Sequence, residues 1–200
     1  MRFASLRGPL LRGPRLASDD ILPAALVADL RTDHAGETGA VMIYRGVLAT
    51  TRDAAVRRFA QAHLATETAH LALIEPLLAR AQRSRLLPLW RVAGWLTGAL
   101  PALVGPLAVY ATIEVVETFV EEHYAAQIES IDRLDPGRAR PALQTLRALL
   151  ASCQADEIGH RDEAALLLGG VDPRASWAMR GWLWAVDVGS RAAVAVCRRI

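Results

Sequence analysis

Glu67-Thr68-Ala69-His70 and Glu157-Ile158-Gly159-His160 repeat one pattern, a glutamate followed three positions later by a histidine. On an α-helix residues i and i+3 share a face, so each pair presents a carboxylate and an imidazole to a single metal ion. A further glutamate precedes each pair by about the length of a helical hairpin, Glu37 before Glu67 and Glu117 before Glu157. Placed on the two other helices of a bundle, these supply a terminal or bridging carboxylate. Four carboxylates and two imidazoles balance two divalent cations and leave coordination positions free, as oxygen activation at iron requires.

Ten glutamates among 200 residues give each of the five histidines about a one-in-twenty chance of a glutamate at i−3, so two such hits arise by accident roughly 2% of the time. The extra glutamate ahead of each pair makes accident a poor account. Around Glu117, however, Glu114, Glu121 and Glu122 compete for the same task, and spacing does not choose among them. The other histidines, His34, His63 and His123, have no glutamate at i−3. His63 reads as an exposed helix position, whereas His34 and His123 lie close enough to ligand positions to support them from outside the coordination sphere. Asp33 and Asp156 are placed to accept the outer N–H of a ligand imidazole, or equally to be solvated.

These residues must be held by helices. From Ile21 onward apolar residues recur with helical period, and no run alternates long enough for a strand, so the fold class is all-α. Four long helices are expected at about 21–50, 53–83, 107–134 and 139–168, separated by turns such as Asp135-Pro136-Gly137 and stopped by Gly169-Gly170. Between the second and third, residues 86–106 carry Pro88, Pro101 and Pro106 with Gly94, Gly98 and Gly105, which predict a broken, apolar crossover segment. A C-terminal amphipathic helix is expected at about 174–198, with Trp177, Trp182 and Trp184 among arginines, lying in a membrane interface or packed on the bundle. The whole is a four-helix bundle in one domain, residues 21–200, behind a flexible basic leader at 1–20. In that leader Pro9 and Pro14 and the absence of an amphipathic pattern argue against a mitochondrial presequence.

Composition excludes some partners and suggests others. A net charge of +2, with basic residues scattered along helices, argues against nucleic acid. All 23 basic residues are arginine, which reads as the codon bias of a GC-rich, bacterial genome. The mean hydropathy of +0.21 is concentrated in the uncharged stretch from Val92 to Ile113. Interrupted by proline and glycine, that stretch reads as a surface dipping into one leaflet, with Trp90 and Trp95 at the headgroup level, more than as a straight span. Cys153 and Cys197 show no metal-type spacing and read as free thiols in a reducing compartment. No glycine-rich dinucleotide fingerprint opens a helix.

The segment Asp33-His34-Ala35-Gly36-Glu37, followed by Gly39-Ala40 and Tyr44, resembles the signature of the demethoxyubiquinone hydroxylase family, ferritin-like di-iron enzymes of ubiquinone biosynthesis. Pro88-Leu89-Trp90, Glu117 with His123-Tyr124 and Gln127, and Asp156-Glu157 with His160 extend the resemblance over about Leu30 to Leu168. It implies a ferritin-like bundle, two iron ions, and Glu37, Glu67, His70, Glu117, Glu157 and His160 as their ligands, choosing Glu117 over its neighbours by analogy. Asp33, His123, Tyr124 and Asp156 are then the expected supporting residues around the metals. The implied reaction is hydroxylation of a polyprenyl methoxy-methyl-benzoquinol with dioxygen, at peripheral contact with membrane lipid. That places the chain on the cytoplasmic face of a bacterial inner membrane, or on the mitochondrial inner membrane in a eukaryote, with other quinone-biosynthesis proteins as partners. The oligomeric state stays open, a homodimer included. Val116-Glu117-Thr118 departs from the family's paired glutamates, and Val196, Cys197 and Arg198 replace its aromatic and acidic tail residues. The rival readings are a ferritin- or rubrerythrin-like iron oxidase or peroxidase, and a non-catalytic membrane scaffold of a quinone-synthesis complex.

Overall fold

A computed structural model of the chain describes residues 22–200. The expected leader at 1–20, with Ile21 at the start of the expected first helix, lies outside the described residues. Six α-helices follow: α1 Ala24–Thr50, α2 Ala54–Ile74, α3 Leu87–Val104, α4 Pro106–Leu134, α5 Pro141–Leu168 and α6 Trp177–Cys197. No strand occurs among the described residues. The protein is an all-α, ferritin-like bundle in which α1, α2, α4 and α5 surround the buried acidic residues, while α3 packs on α1 and α6 on α4.

Local chemistry sets the helix ends. Asp53 caps α2 by accepting from the amides of Ala55 and Val56. Asp135 accepts from the amides of Ala139 and Arg140, which ties down the turn between α4 and α5. Pro141 sits in the first turn of α5, and Gly169, at φ 60, ends that helix in the left-handed conformation.

Two segments differ from expectation. The second helix stops at Ile74, short of residue 83, because Pro76 cannot donate to the α ladder, and the chain continues through the 3-10 turns Glu75–Leu77 and Arg80–Gln82. The crossover is not broken: it forms the 18-residue helix α3. Pro88 lies in its first turn, where no N–H is needed, and Pro101 in its last. Gly105, at φ 143, then breaks the chain before Pro106 opens α4. Gly94 and Gly98 are contact residues, because a Cβ on Gly94 would overlap the Gly39 carbonyl and one on Gly98 the Ile43 carbonyl. They seat α3 on α1 backbone to backbone. Its other face carries exposed Leu89, Val92, Leu96, Leu100, Leu103 and Val104, and α3 is long and apolar enough to cross a membrane by length and composition.

The buried stripes of α1, α2, α4 and α5 are apolar at both ends and acidic in the middle. One apolar cluster includes Val47, Val56, Phe59, Val109, Ile113, Ala164 and Leu183. The other includes Leu26, Leu30, Ile74, Leu78, Ile131, Leu143, Leu146 and Leu150. Burying each of these larger side chains contributes about 1.5–3 kcal/mol, which offsets the cost of the charged layer between them.

Candidate metal centre

Each acidic site residue occupies a position that helical period assigns to the core. On α4 the buried series runs Ile113, Glu117, Tyr124, Ile131, and on α5 it runs Leu150, Cys153, Glu157, His160, Ala164. Glu37, Glu67, His70, Glu117, Glu157 and His160 are all buried and converge from α1, α2, α4 and α5. Their donor atoms form two overlapping groups, Glu37, Glu67, His70 and Glu157, and Glu67, Glu117, Glu157 and His160, each within 4.8 Å. Glu67 and Glu157 belong to both groups. The shared carboxylates are therefore those of the two Glu-x-x-His pairs, and Glu37 and Glu117 each serve one side. Of the competing glutamates, Glu121 pairs with Arg161 and Glu122 with Arg191, and Glu114 is outside the cluster.

The contacts inside the cluster are short and unaligned. His70 Nδ1 lies 3.1 Å from Glu157 Oε1, and His160 Nδ1 lies 3.0 Å from Glu67 Oε1 and 3.3 Å from Glu157 Oε2. Yet Glu37 Oε2, Glu67 Oε1, both Glu157 oxygens and both Nδ1 atoms make no hydrogen bond of proper geometry. Buried polar atoms are rarely left so. Lone pairs converging on a common space, from carboxylates and imidazoles alone, fit divalent metal ions.

Protonation in the metal-free cluster points the same way. Burial, with Glu67 and Glu157 alongside, raises Glu37 and Glu117 well above the carboxylate range. Burial also opposes ionisation of Glu67, but the imidazoles of His160 and His70 outweigh it and bring that group down to about 2. His160 rises to about 10, its burial outweighed by Glu157 and Glu67, and His70 rises through Asp156, Glu157 and Glu67. Carboxylates raised by burial and their neighbours' charge, and imidazoles raised by carboxylates, are the shifts that bound cations would relieve.

The surrounding residues divide. Asp156 Oδ2 meets His70 Nε2 at 3.1 Å, the expected imidazole partner. Tyr124 donates to Glu37 Oε1. Asp33 orients no ligand imidazole; its Oδ1 holds His123 Nε2 at 3.1 Å and accepts from Gln127. His34 is buried and 3.8 Å from Glu75, outside the cluster. His63 corrects the reading of an exposed position, for it is 2% exposed, contacts Tyr44 and Glu163, and stacks on His160. The signal was its spacing, since His63, Glu67 and His70 follow the i, i+4, i+7 stripe of α2. Tyr44, which donates to Glu117 Oε1 at 2.7 Å, was legible in the same way, seven residues after Glu37. Cys153 and Cys197 are free and buried.

A cavity of about 430 Å³ lies between α1, α3, α4 and α6 and reaches Glu37, Glu67, Glu117 and Glu157. Small residues, among them Gly39, Ala40, Ala93, Gly94, Gly189 and Ala193, form part of its walls beside Trp90, Phe119 and Trp182, with Thr32, Asp33 and His123 as polar points. The C-terminal helix closes one side, fixed by Trp182 Nε1 donating to Thr112 at 2.8 Å and by Arg198 paired with Asp29 at 2.7 Å.

A family model described as ubiquinone biosynthesis protein COQ7 matches residues 24–197. A 3-demethoxyubiquinol 3-hydroxylase of Rhodospirillum rubrum is 39% identical over 147 residues, which cover 72% of this chain and 66% of that relative. The relatives named NADPH-dependent 3-demethoxyubiquinone 3-hydroxylase, mitochondrial, are 33% identical in Homo sapiens, over 76% of this chain and 69% of theirs, and 32% in Mus musculus, over 78% and 72%. With that family's model spanning all six described helices, the chain belongs to the ubiquinone biosynthesis protein COQ7 family.

Proposed function

We propose that this chain is a di-iron monooxygenase that hydroxylates the ring of a polyprenyl methoxy-methyl-benzoquinol, demethoxyubiquinol, using dioxygen. Quinol, dioxygen, two electrons and two protons give the hydroxylated quinol and water. The observation that carries this reading is the apolar cavity that ends on the buried carboxylates. Glu37, Glu67, His70, Glu117, Glu157 and His160 are the proposed ligands. Bound there, iron supplies the redox change and open positions that make dioxygen reactive towards an electron-rich ring.

The protein's own part is placement and exclusion of water. Tyr124 and Tyr44 hold Glu37 and Glu117, and Asp156 holds His70. His123, backed by Asp33, is the polar point of the cavity wall that suits a ring hydroxyl. The small residues of α1, α3 and α6 leave width for a planar ring, and their apolar surface keeps water from it. A prenylated substrate dissolves in lipid, and the exposed leucines of α3 with Trp177 and Trp184 of α6 give the chain an apolar surface for peripheral membrane contact. A storage or peroxidase role has no use for that cavity, and a scaffold has no use for the acidic layer.

The test is complementation of a bacterial strain lacking its demethoxyubiquinol hydroxylase. Expression of this chain is expected to restore ubiquinone and clear accumulated demethoxyubiquinone, with one oxygen atom of labelled dioxygen in the new ring hydroxyl. An unchanged quinone pool sinks the reading.

A further inference from the structure

Glu117 is linked to the protein surface by three successive contacts that the Glu-x-x-His pairs do not themselves require. Tyr44 Oη donates to Glu117 Oε1 at 2.7 Å, the same hydroxyl lies 3.0 Å from His63 Nδ1, and His63 Nε2 lies 3.0 Å from Glu163 Oε2. Tyr44 and His63 are buried, whereas Glu163 is half exposed. The His63 ring also lies nearly flat on that of His160, with centroids 3.9 Å apart and planes 17° apart, and Phe59 packs against it at 4.0 Å. Its orientation is fixed from every side that the structure describes.

A tyrosine hydroxyl has one proton to give. His63 Nε2 faces the Glu163 carboxylate and donates there, which leaves Nδ1 as an acceptor, so Glu117 and His63 share the one Tyr44 proton between them. The ring is held at both nitrogens, and its stacking on His160 carries that fixed plane to the ligand imidazole. The other half of the centre is held differently, by Asp156 on His70 and with no ring stacked on that imidazole.

We propose that His63, anchored by Glu163 and Tyr44, is a positioning residue for one side of the metal centre: it fixes the plane of His160. The proposal rests on the reading of Glu117 and His160 as metal ligands. None of His63, Tyr44 and Glu163 lines the cavity, so the pair acts on the centre and not on substrate binding.

The test is titration of the metal-free full chain with Co(II), whose visible absorption reports coordination without turnover. The wild-type chain is expected to take two ions. His63→Leu is expected to weaken one of them about 10–100-fold and change its spectrum, the range seen when an outer partner of a ligand is lost. His63→Phe keeps a ring to stack on His160 and recovers part of that loss, and Glu163→Ala shifts affinity in the same direction by less. In turnover, His63→Leu lowers kcat and leaves KM unchanged. Wild-type affinity and spectrum in both His63→Leu and Glu163→Ala overturn the proposal; if His63→Leu does not fold, the surface variant Glu163→Ala decides alone. A wild-type chain that takes up no second ion overturns instead the reading of Glu117 and His160 as ligands.

Discussion

Tyr44 and Tyr124 each stand seven residues after the cluster glutamate of their own helix and donate to the cluster glutamate of the other, Tyr44 to Glu117 and Tyr124 to Glu37. The exchange crosses the bundle twice and ties α1 to α4 through the acidic layer. Replacing Tyr124 by Phe leaves a buried carboxylate oxygen without its donor, which costs about 1–3 kcal/mol. Urea unfolding of the metal-loaded Tyr124→Phe protein is expected to show that loss, with iron affinity about 10–100-fold lower. An unchanged midpoint and affinity would mean that the hydroxyl contributes nothing to Glu37.

Glu67 and Glu157 are shared between the two donor groups, and Glu37 and Glu117 are not. Glu157→Ala and Glu67→Ala are therefore expected to abolish binding of both ions, whereas Glu37→Ala retains the ion on the His160 side. Metal content by mass spectrometry separates these cases. Helix content by circular dichroism should stay near wild type in all of them, because the apolar clusters at both ends of the bundle are untouched. Two ions retained in Glu157→Ala would refute a bridging role for that residue.

The pair pattern and the all-α class were legible because both depend on local period: ligands at i and i+3, apolar residues at i and i+4. The third-helix ligand was not, since Glu114, Glu117, Glu121 and Glu122 differ only in which face they present after α4 has docked, and the resemblance to the family chose among them. His63 was misread because a histidine without a glutamate at i−3 carries no motif, although its register with Glu67 was visible. The continuity of α3 was hidden because Gly94 and Gly98 count as helix breakers until α1 is laid against them. The cavity needed α6 in place, and no sequence period places a terminal helix against a particular neighbour.

The metal-free protein should lose stability as pH rises. Glu37 and Glu117 have raised values, so the folded chain binds more protons than the unfolded one above their ordinary value of 4.5. His160, raised to about 10, contributes stability that is complete below 6.5 and lost as pH rises from there to about 10, and His70 acts in the same direction. Glu67, lowered to about 2, loses its contribution only in strong acid. The Tm of chelator-treated protein is expected to fall between about pH 6 and 9, and the gap to the metal-loaded protein to widen, because cations then replace protons. A flat metal-free Tm across that range would contradict the protonated cluster.

Leu100 and Leu103 lie on the exposed apolar face of α3, away from the glycines that contact α1. Changing both to Glu is expected to leave folding and iron content unaltered while lowering the fraction that cosediments with phospholipid vesicles severalfold. Unchanged cosedimentation would move the membrane surface elsewhere, with Trp177 and Trp184 of α6 next to be tested.

Gly98 gives the sharpest structural test of how α3 shapes the cavity. Its Cα faces the Ile43 carbonyl and the Val47 amide so closely that an added methyl has no space, and the atoms it would meet are backbone and cannot turn aside. Gly98→Ala must therefore push α3 away from α1, at a cost of about 1–3 kcal/mol for overpacking. The ligands sit on other helices, so iron content is expected to hold while Trp90, Ala93 and Gly94 shift at the cavity wall. A raised KM for the quinol with two ions still bound is the expected result. Loss of iron with unchanged KM would show that α3 supports the centre and not the cavity.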